Sequence, residues 1–158
     1  MAPTPIADVA TRFDLGPIDQ VSFAINDLDA ALPRYAALFG EFIVRTVHLT
    51  PDRVRYRGRP MSATLALGFA RSGDVEIELV QVLEGDAPSL EHLRDHGEGL
   101  HHVRFRVADI EERKCLLVDA GYAIVVEGTT ERGSSFAYLE APASIGHTVI
   151  ELIQPPAE

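Results

Sequence analysis

Residues 18–32 read IDQVSFAINDLDAAL, and they align without a gap with residues 100–114, LHHVRFRVADIEERK. A second pair of segments, IELVQ at 77–81 and IELIQ at 150–154, is nearly identical. Each half of the chain therefore opens with one recurrent segment and closes with another. A repeat in this order predicts an internal duplication, in which each copy is one structural module.

The opening segments alternate between apolar and polar residues. Val21 and Phe23 fall on one face of an extended chain, and Gln20 and Ser22 fall on the other. In the second copy His102 takes the place of Gln20 on the polar face. A period of two predicts a β-strand with its apolar face on a core.

A helix is predicted after each opening strand, in LDAALPRYAALFG from Leu28 and in IEERKCLLVDAG from Ile110. Asn26 or Asp27 is placed to cap the first helix, and Asp109 is placed to cap the second. Each helix is expected to stop at a glycine, which favours the backbone conformation found at helix ends.

Two residues inside these helices carry further predictions. Pro33 lies about one turn inside the first helix, so the early part of that helix is expected to be irregular. Cys115 is the only cysteine, and we expect it to be a small buried apolar residue of the second helix. A single cysteine excludes an intramolecular disulfide and therefore a disulfide-stapled secreted scaffold.

Strand-like runs follow each helix. They are FIVRTVHL, VRYR, ATLALGFA and VEIELVQV in the first half, and YAIVVEG, SFAYLE and HTVIELIQ in the second. Each half is thus predicted to be a βαβββ module of an α+β protein, with one extra strand-like run in the first. We expect a lead-in over 1–16 and a single domain over 17–158, with modules at about 17–83 and 99–155 and a linker helix at about 88–96.

Composition limits the class of partner. The chain has 158 residues and a formal net charge of −10, which disfavours nucleic acid and anionic membranes as partners. It has no apolar run near the roughly 20 residues that a membrane-spanning helix needs, and its opening segment lacks the features of a secretory signal. We therefore expect a cytoplasmic protein that acts on a small molecule.

Four polar residues occupy equivalent positions of the repeat. Gln20 and His102 share a place in the opening strands, and Glu78 and Glu151 share a place in the closing strands. All four are predicted to point away from the apolar face, so packing of the halves about a twofold axis would bring them into one polar concavity. An amide oxygen, an imidazole and two carboxylates suit Zn²⁺, Ni²⁺ or Co²⁺.

With these motifs the chain resembles the vicinal oxygen chelate superfamily, which includes glyoxalase I, methylmalonyl-CoA epimerase, extradiol dioxygenases, fosfomycin-resistance enzymes and bleomycin-binding proteins. The resemblance covers about residues 18–155, and the GEGLHH segment at 97–102 is similar to the epimerase branch. It implies a cupped mixed sheet formed by two tandem βαβββ modules, with helices on the outer faces. It also implies the metal ligands Gln20, Glu78, His102 and Glu151, in the order that glyoxalase I uses, and a homodimer as in many relatives.

The chain also departs from individual members of this group. Ala24 and Val82 stand where glyoxalase I has the arginine and asparagine that hold glutathione, so glutathione is disfavoured as the substrate. The run ATLALGFA lacks the second acid of methylmalonyl-CoA epimerase, which disfavours a symmetrical two-base epimerisation. Gln20 breaks the two-histidine, one-carboxylate triad of the Fe(II) extradiol dioxygenases.

The resemblance implies proton abstraction beside a metal-chelated carbonyl, with Glu151 as the base and Glu78 as the alternative. Arg104 and Arg106 are predicted to lie on the polar face of their strand. There they either hold an anionic substrate, or belong to a solvated strand face or form internal ion pairs with Glu76 or Glu78. Tyr138 faces either the cavity, as a substrate contact, or the core.

Four arginines, at positions 53, 55, 57 and 59, are expected to lie on one side of a hairpin. They form either an anion-binding rim, for example for a CoA-type tail, or a charged edge that discourages strand pairing. The sequence does not distinguish these two roles.

The functional hypothesis is a divalent-metal-dependent isomerase, epimerase or lyase acting on a small or thioester-linked organic acid. The alternative is a metal-free binding protein of the bleomycin-resistance kind, and an Fe(II) dioxygenase is a less favoured third. The enzyme hypothesis rests on the four candidate ligands at equivalent positions of the repeat. It does not rest on the fold, because one fold hosts many functions.

Overall fold

In the computed structural model, which describes residues 13–146 and 148–157, each half of the chain opens with a strand and a helix and continues in strands. The first half contains β1 (Ile18–Ala24), α1 (Leu28–Phe39), β2 (Ile43–Leu49), β3 (Val54–Tyr56), β4 (Arg59–Pro60), β5 (Ala63–Ser72) and β6 (Val75–Gly85). The second half follows α2 (Pro88–His96) and contains β7 (Gly99–Arg106), α3 (Ile110–Asp119), β8 (Ala123–Thr129), β9 (Ser135–Glu140), a 3₁₀ turn (Ala143–Ile145) and β10 (Val149–Gln154). The predicted α+β class is confirmed.

The strands form one curled sheet in the order β2-β5-β6-β1-β7-β10-β9-β8-β3-β4. At its centre the two opening strands pair antiparallel, with Val21 opposite Val103. Each closing strand lies parallel to the opening strand of its own half, β6 on β1 and β10 on β7. The two copies of the sequence repeat are therefore related by a pseudo-twofold axis between β1 and β7. The equivalent polar positions lie on the four central strands.

Side-chain caps start the helices that follow β1 and β7. Asp27 Oδ1 accepts a hydrogen bond from the Ala30 amide at 3.0 Å, and Asp109 Oδ1 accepts one from the Glu112 amide at 3.0 Å. These caps satisfy amides that have no partner inside the helix. α1 ends at Gly40, whose φ of 85° is accessible to a residue without a side chain.

Two predictions about the helices are wrong. α1 runs without interruption through Pro33, because packing of its buried residues Leu28 and Ala31 holds the helix despite the missing amide hydrogen. Cys115 is exposed, because it lies about 200° around α3 from the buried Leu117. The cysteine therefore faces solvent.

The hairpin of β3 and β4 leaves the first half and pairs with the second. Val54 lies opposite Gly128, and Tyr56 lies opposite Val126. The two segments approach so closely that a Cβ on Gly128 would lie 2.4 Å from the Arg53 carbonyl oxygen. Glycine is therefore required at position 128. This hairpin ties the two modules together at the end of the sheet farthest from β2.

The prediction that the four arginines of this region share one side of a hairpin is wrong. Alternation ends at Arg57, whose φ is 47° and which turns the chain at Gly58. Arg57 pairs with Glu91 of α2 at 3.0 Å, whereas Arg53 lines the cavity described below. The arginines therefore do not form one anion-binding rim.

Three apolar clusters pack against the sheet. One lies under α1, a second lies under α3, and the third joins the β3–β4 hairpin to β8 and β9. Among residues 13–146 and 148–157 there is no helix with the length and apolar character required to cross a membrane.

Candidate metal centre

The four predicted ligands lie on the four central strands and are buried. Gln20 and His102 are each 1% exposed, and Glu78 and Glu151 are each 7% exposed. His102 Nε2 lies 3.0 Å from Glu151 Oε2 and 3.8 Å from Glu78 Oε2. In β1 the polar residues Gln20 and Ser22 are buried, whereas the apolar Val21 and Phe23 on the other face are only partly buried.

Ser22 belongs to this centre, although sequence reasoning assigned it no role. It lies opposite Glu78 on one side and opposite His102 on the other. Its hydroxyl donates a 2.7 Å hydrogen bond to Glu78 Oε2. Two features of the sequence could have identified Ser22 as part of the site. It lies on the same face of its strand as Gln20, and it aligns with Arg104 in the repeat.

Gln20 is oriented by a network of charged groups. Its Nε2 donates to Glu76 Oε1 at 2.8 Å, and Arg104 donates to the same oxygen at 3.4 Å. Arg104 also donates to both carboxylate oxygens of Asp19, at 2.9 and 3.2 Å. Because the amide nitrogen of Gln20 is held by a carboxylate, its Oε1 points the other way.

Two buried side-chain nitrogen or oxygen atoms of the described residues have no hydrogen-bond partner, and they are Gln20 Oε1 and His102 Nε2. The 3.0 Å contact of His102 with Glu151 lacks hydrogen-bond geometry. An unsatisfied buried polar atom costs about 1–3 kcal/mol, so two on equivalent positions of a repeat require an explanation. Both are lone-pair donors that a divalent cation satisfies.

The donor set fits a borderline divalent ion, although the ligands are not assembled around one point. Counting His, Cys, Asp and Glu in the described parts of the chain, no group of three is arranged to hold a metal ion. Separations of 3.0 and 3.8 Å from His102 Nε2 are nevertheless close to the roughly 3–3.5 Å between neighbouring ligand atoms of one ion.

A β-bulge places a second histidine beside the first. The register between β1 and β7 shifts where His101 has no partner strand residue, and bulges of this kind redirect a side chain. His101 Nδ1 lies 3.0 Å from His102 Nδ1. Burial lowers the pKa of His101 well below its usual value, and the neighbouring imidazoles of His102 and His92 add to this effect. His101 is therefore neutral at pH 7, and one of the two Nδ1 atoms carries the shared proton.

Tyr138 faces the cavity and also contacts the core cluster of the β3–β4 hairpin. It lies opposite Glu151 on the neighbouring strand, and its ring centroid is 4.8 Å from that of His102. Burial raises the pKa of the Tyr138 phenol well above its usual value, and the carboxylates of Glu151 and Glu78 raise it further. The phenol therefore stays protonated and is a hydrogen-bond donor at neutral pH.

The two predicted substrate arginines have different surroundings. The side chain of Arg104 is 13% exposed, lines the cavity and is held by Asp19 and Glu76. The side chain of Arg106 is 57% exposed, lies 3.5 Å from Asp19 and is not among the residues that line the cavity. Internal ion pairs account for both contacts, and a role in substrate binding stays a prediction.

Above the centre lies a cavity of about 460 Å³, within the roughly 300–1,000 Å³ typical of small-molecule sites. Its floor is polar and its walls are mainly apolar. The floor contains Glu78, His101, His102, Arg104, Tyr138 and Glu151, and the walls include Val47, Leu65, Leu67, Phe69, Val80, Val126, Phe136 and Ile153.

The sequence profile of the glyoxalase/bleomycin resistance protein/dioxygenase superfamily matches residues 19–138. The chain belongs to this superfamily. The matched range includes three of the four candidate ligands, and the resemblance expected from the repeat is confirmed. Members of this superfamily include enzymes and binding proteins, so membership alone leaves the function open.

Similarity to individual proteins is more distant. The uncharacterized protein YqjC of Bacillus subtilis (strain 168) is 26% identical over 91 residues, which cover 56% of this chain and 64% of that protein. The chain thus spans less than two thirds of the length of this curated relative.

Solved structures share the fold along most of the chain. Methylmalonyl-CoA epimerase from Mycobacterium tuberculosis is 22% identical with a TM-score of 0.63, over 89% of this chain and 88% of that one. A Streptomyces coelicolor methylmalonyl-CoA epimerase variant in complex with 2-nitronate-propionyl-CoA is 23% identical with a TM-score of 0.62, over 89% and 97%. A hypothetical protein from Bacillus halodurans C-125 is 22% identical with a TM-score of 0.65, over 90% and 96%.

We expect the contribution of Glu78 to the stability of the metal-free protein to fall as the pH rises from about 4.5 to 7. Burial raises the pKa of the Glu78 carboxyl to about 7, and the imidazole of His102 opposes this shift. The folded chain therefore holds a proton in this window that the unfolded chain releases, so rising pH favours unfolding. In Glu78→Gln this cost is absent, and its stability relative to wild type should grow by on the order of 3 kcal/mol between pH 4.5 and 8.

Urea unfolding in EDTA at several pH values measures this difference. Glu84→Gln, which changes an exposed carboxyl on the same strand, is the control and should show a nearly constant difference from wild type. A pH-independent difference for Glu78→Gln would contradict the raised pKa.

Proposed function

We propose that the protein is a divalent-metal-dependent isomerase, epimerase or lyase that removes a proton beside the chelated carbonyl of a small or thioester-linked organic acid. The observation that carries this proposal is the pair of buried, unpartnered donor atoms, Gln20 Oε1 and His102 Nε2. They lie on equivalent strands of the duplication, beside two buried carboxylates. Two of the structural neighbours are methylmalonyl-CoA epimerases, which is consistent with this class of reaction.

We assign the ion to Gln20, Glu78, His102 and Glu151, with Zn²⁺, Ni²⁺ or Co²⁺ as the matching metals. When bound, the ion supplies Lewis acidity, which makes a C–H bond next to the carbonyl more acidic. The side chains around the ion carry out proton transfer and hold the substrate.

Glu151 is assigned as the base that accepts this proton. Glu78 is anchored by the 2.7 Å hydrogen bond from Ser22, whereas the short contact of Glu151 in the described structure is with His102. A carboxylate without an anchor is free to turn toward a substrate C–H bond. Tyr138, which stays protonated beside Glu151, is placed to donate a hydrogen bond to a substrate oxygen.

The apolar wall next to Glu78 bears on the type of reaction. Leu65, Leu67 and Phe69 line the cavity on β5, and β5 carries no carboxyl group. A second base is therefore absent from that wall. A single base that moves a proton within one substrate, or removes it in an elimination, accords with this arrangement better than a symmetrical two-base epimerisation.

Metal content per chain tests the proposal most directly. We expect about one divalent ion per chain by inductively coupled plasma mass spectrometry, on protein purified without an affinity tag. Glu151→Ala should lose the ion, and Glu84→Ala, which changes an exposed glutamate, should retain it. Acyl-CoAs and 2-oxo or 2-hydroxy acids are then screened for exchange of a carbon-bound proton with D₂O.

The alternative is a metal-free binding protein, and the mainly apolar cavity of about 460 Å³ favours it. Under this alternative, His102 and Glu151 remain in contact and the cavity sequesters a ligand without reaction. Failure of the purified chain to bind Zn²⁺, Ni²⁺ or Co²⁺ from solution would reject the enzyme proposal and favour this function.

A further inference from the structure

The N-terminus of α2 lacks the side-chain acceptors that the other two described α-helices have. α1 and α3 each begin with a capping aspartate and with a glutamine from the closing strand of the same half. Gln81 Oε1 accepts a hydrogen bond from the Leu28 amide at 2.9 Å, and Gln154 Oε1 accepts one from the Ile110 amide at 2.8 Å. α2 has Ala87 at its capping position and no side-chain hydrogen bond there. No side chain of the described residues therefore offsets the partial positive charge of this helix end.

Ser89 supplies two free hydrogen-bond donors at this end of α2. Pro88 has no amide hydrogen, and the Leu90 amide donates to the Ala87 carbonyl oxygen at 2.9 Å. In the described parts of the chain, neither the amide nor the hydroxyl of Ser89 has a hydrogen-bond partner. Both groups of Ser89 are thus available to a ligand.

The Ser89 side chain borders the cavity above the metal centre. Ser89 is only 4% exposed and is one of the residues that line this cavity. Its hydroxyl is not one of the two fully enclosed atoms of the centre, so the small surface that it keeps faces the cavity. A polar group this deeply buried costs free energy when it has no partner, so the open hydroxyl indicates a place for a ligand atom.

The acidic residue in the first turn of α2 does not supply the missing acceptor. Glu91 accepts a 2.6 Å hydrogen bond from the Tyr56 hydroxyl and pairs with Arg57 at 3.0 Å. These contacts hold α2 against the β3–β4 hairpin. They occupy the Glu91 carboxylate and leave the donors of Ser89 unpaired.

α2 lies next to the metal centre through its histidines. His92 follows Ser89 by three residues, so the two lie on the same side of the helix. The ring centroid of His92 is 5.2 Å from that of His101, which in turn contacts His102. Ser89 therefore lies near the ligand set but on a separate element, and the two can hold different groups of one molecule.

We propose that the N-terminus of α2 binds a carboxylate or phosphate group of the ligand, which accepts hydrogen bonds from the amide and the hydroxyl of Ser89. Two donors match two oxygens of one such group, and a helix N-terminus favours negative charge. In the proposed function the ion holds the chelated oxygens, so this group is a further anion elsewhere on the same ligand. The inference rests on the proposed function for the metal-bound part of the ligand, and it adds a second anchor.

Hydroxamates with and without a terminal carboxylate test the site in the Co²⁺-loaded protein. Monohydroxamates of the dicarboxylic acids from succinic to pimelic acid are compared with alkyl hydroxamates of the same chain length. Transfer of a carboxylate from water into a mainly apolar cavity is unfavourable unless a donor meets it. We expect the carboxylate to strengthen binding at least about tenfold at one or two chain lengths. Isothermal titration calorimetry gives the affinities, and the visible spectrum of Co²⁺ reports whether the hydroxamate reaches the ion.

Two serines provide a matched pair of variants. Ser89→Ala should weaken the best carboxylate-bearing hydroxamate roughly tenfold and leave its alkyl counterpart nearly unchanged. Ser62 is exposed and is not among the residues that line the cavity. Ser62→Ala should therefore change neither affinity.

Weaker binding of the carboxylate-bearing compound at every length, or equal effects of the two alanine variants, would overturn the inference and leave the metal site intact. If no hydroxamate binds, the proposed metal site fails, and the helix end is tested alone. Metal-free, ¹⁵N-labelled protein is then titrated with phosphate and with propionate at constant ionic strength. A saturable shift of the Ser89 amide resonance with either anion supports the site and shows which group fits it. The absence of a saturable shift with both anions would overturn the inference as well.

Discussion

Glu151→Gln is expected to slow exchange of the substrate's carbon-bound proton by about 10²- to 10⁴-fold while the chain keeps its ion. The amide retains an oxygen donor but cannot accept a proton at neutral pH, so the variant separates metal binding from proton transfer. Exchange is followed by mass spectrometry in D₂O on a substrate from the acyl-CoA and 2-oxo acid screen. Metal content is measured on the same preparation.

Glu78→Gln is the matched comparison, because it makes the same change at the equivalent position of the other half. Ser22 anchors Glu78, so we expect this variant also to keep its ion and to show a smaller loss of kcat. A larger loss of kcat in Glu78→Gln than in Glu151→Gln would transfer the role of base to Glu78.

His102→Ala is expected to weaken binding of the divalent ion at least about 100-fold. The imidazole supplies the nitrogen of the set, and its Nε2 is one of the two unpartnered buried atoms. Competition with a chromophoric chelator measures the affinity, and circular dichroism checks that the variant is folded.

His101→Ala tests how the imidazole of His102 is oriented, separately from its binding of the ion. For His102 Nε2 to bind an ion, its Nδ1 must carry the proton and donate to His101 Nδ1, which lies 3.0 Å away. Loss of this acceptor should weaken metal binding about 10- to 100-fold, less than loss of His102 itself. Unchanged affinity in a folded His102→Ala variant would remove this residue from the ligand set.

The repeat in the sequence predicted most of the fold because its physical cause is local. Alternation sets which face each side chain takes, so parity alone predicted that Gln20 and His102 lie on the same face of the sheet. The positions of the closing strands followed from the IELVQ and IELIQ segments in the same way. Whether these side chains bind a metal is a chemical question that parity does not answer.

Features that depend on contacts between distant segments were not predicted. Alternation assigns His101 to the face opposite His102, and the bulge that brings both to the cavity is a property of the pairing between β1 and β7. The VRYR run was recognised as a strand, but its partner, β8, lies about 70 residues away in the chain. The exposure of Cys115 depends on which face of α3 meets the sheet.

The two ends of the sheet have unequal capacity to accept another strand. β4 is two residues long and ends in Pro60, so it offers almost no backbone to pair with. β2 at the other end has seven residues, including Ile43 and Val44, which are 63% and 48% exposed. A fibre grows by strand addition only if both edges of the sheet can pair with another strand. Association through this sheet is therefore expected to stop at dimers that pair through β2.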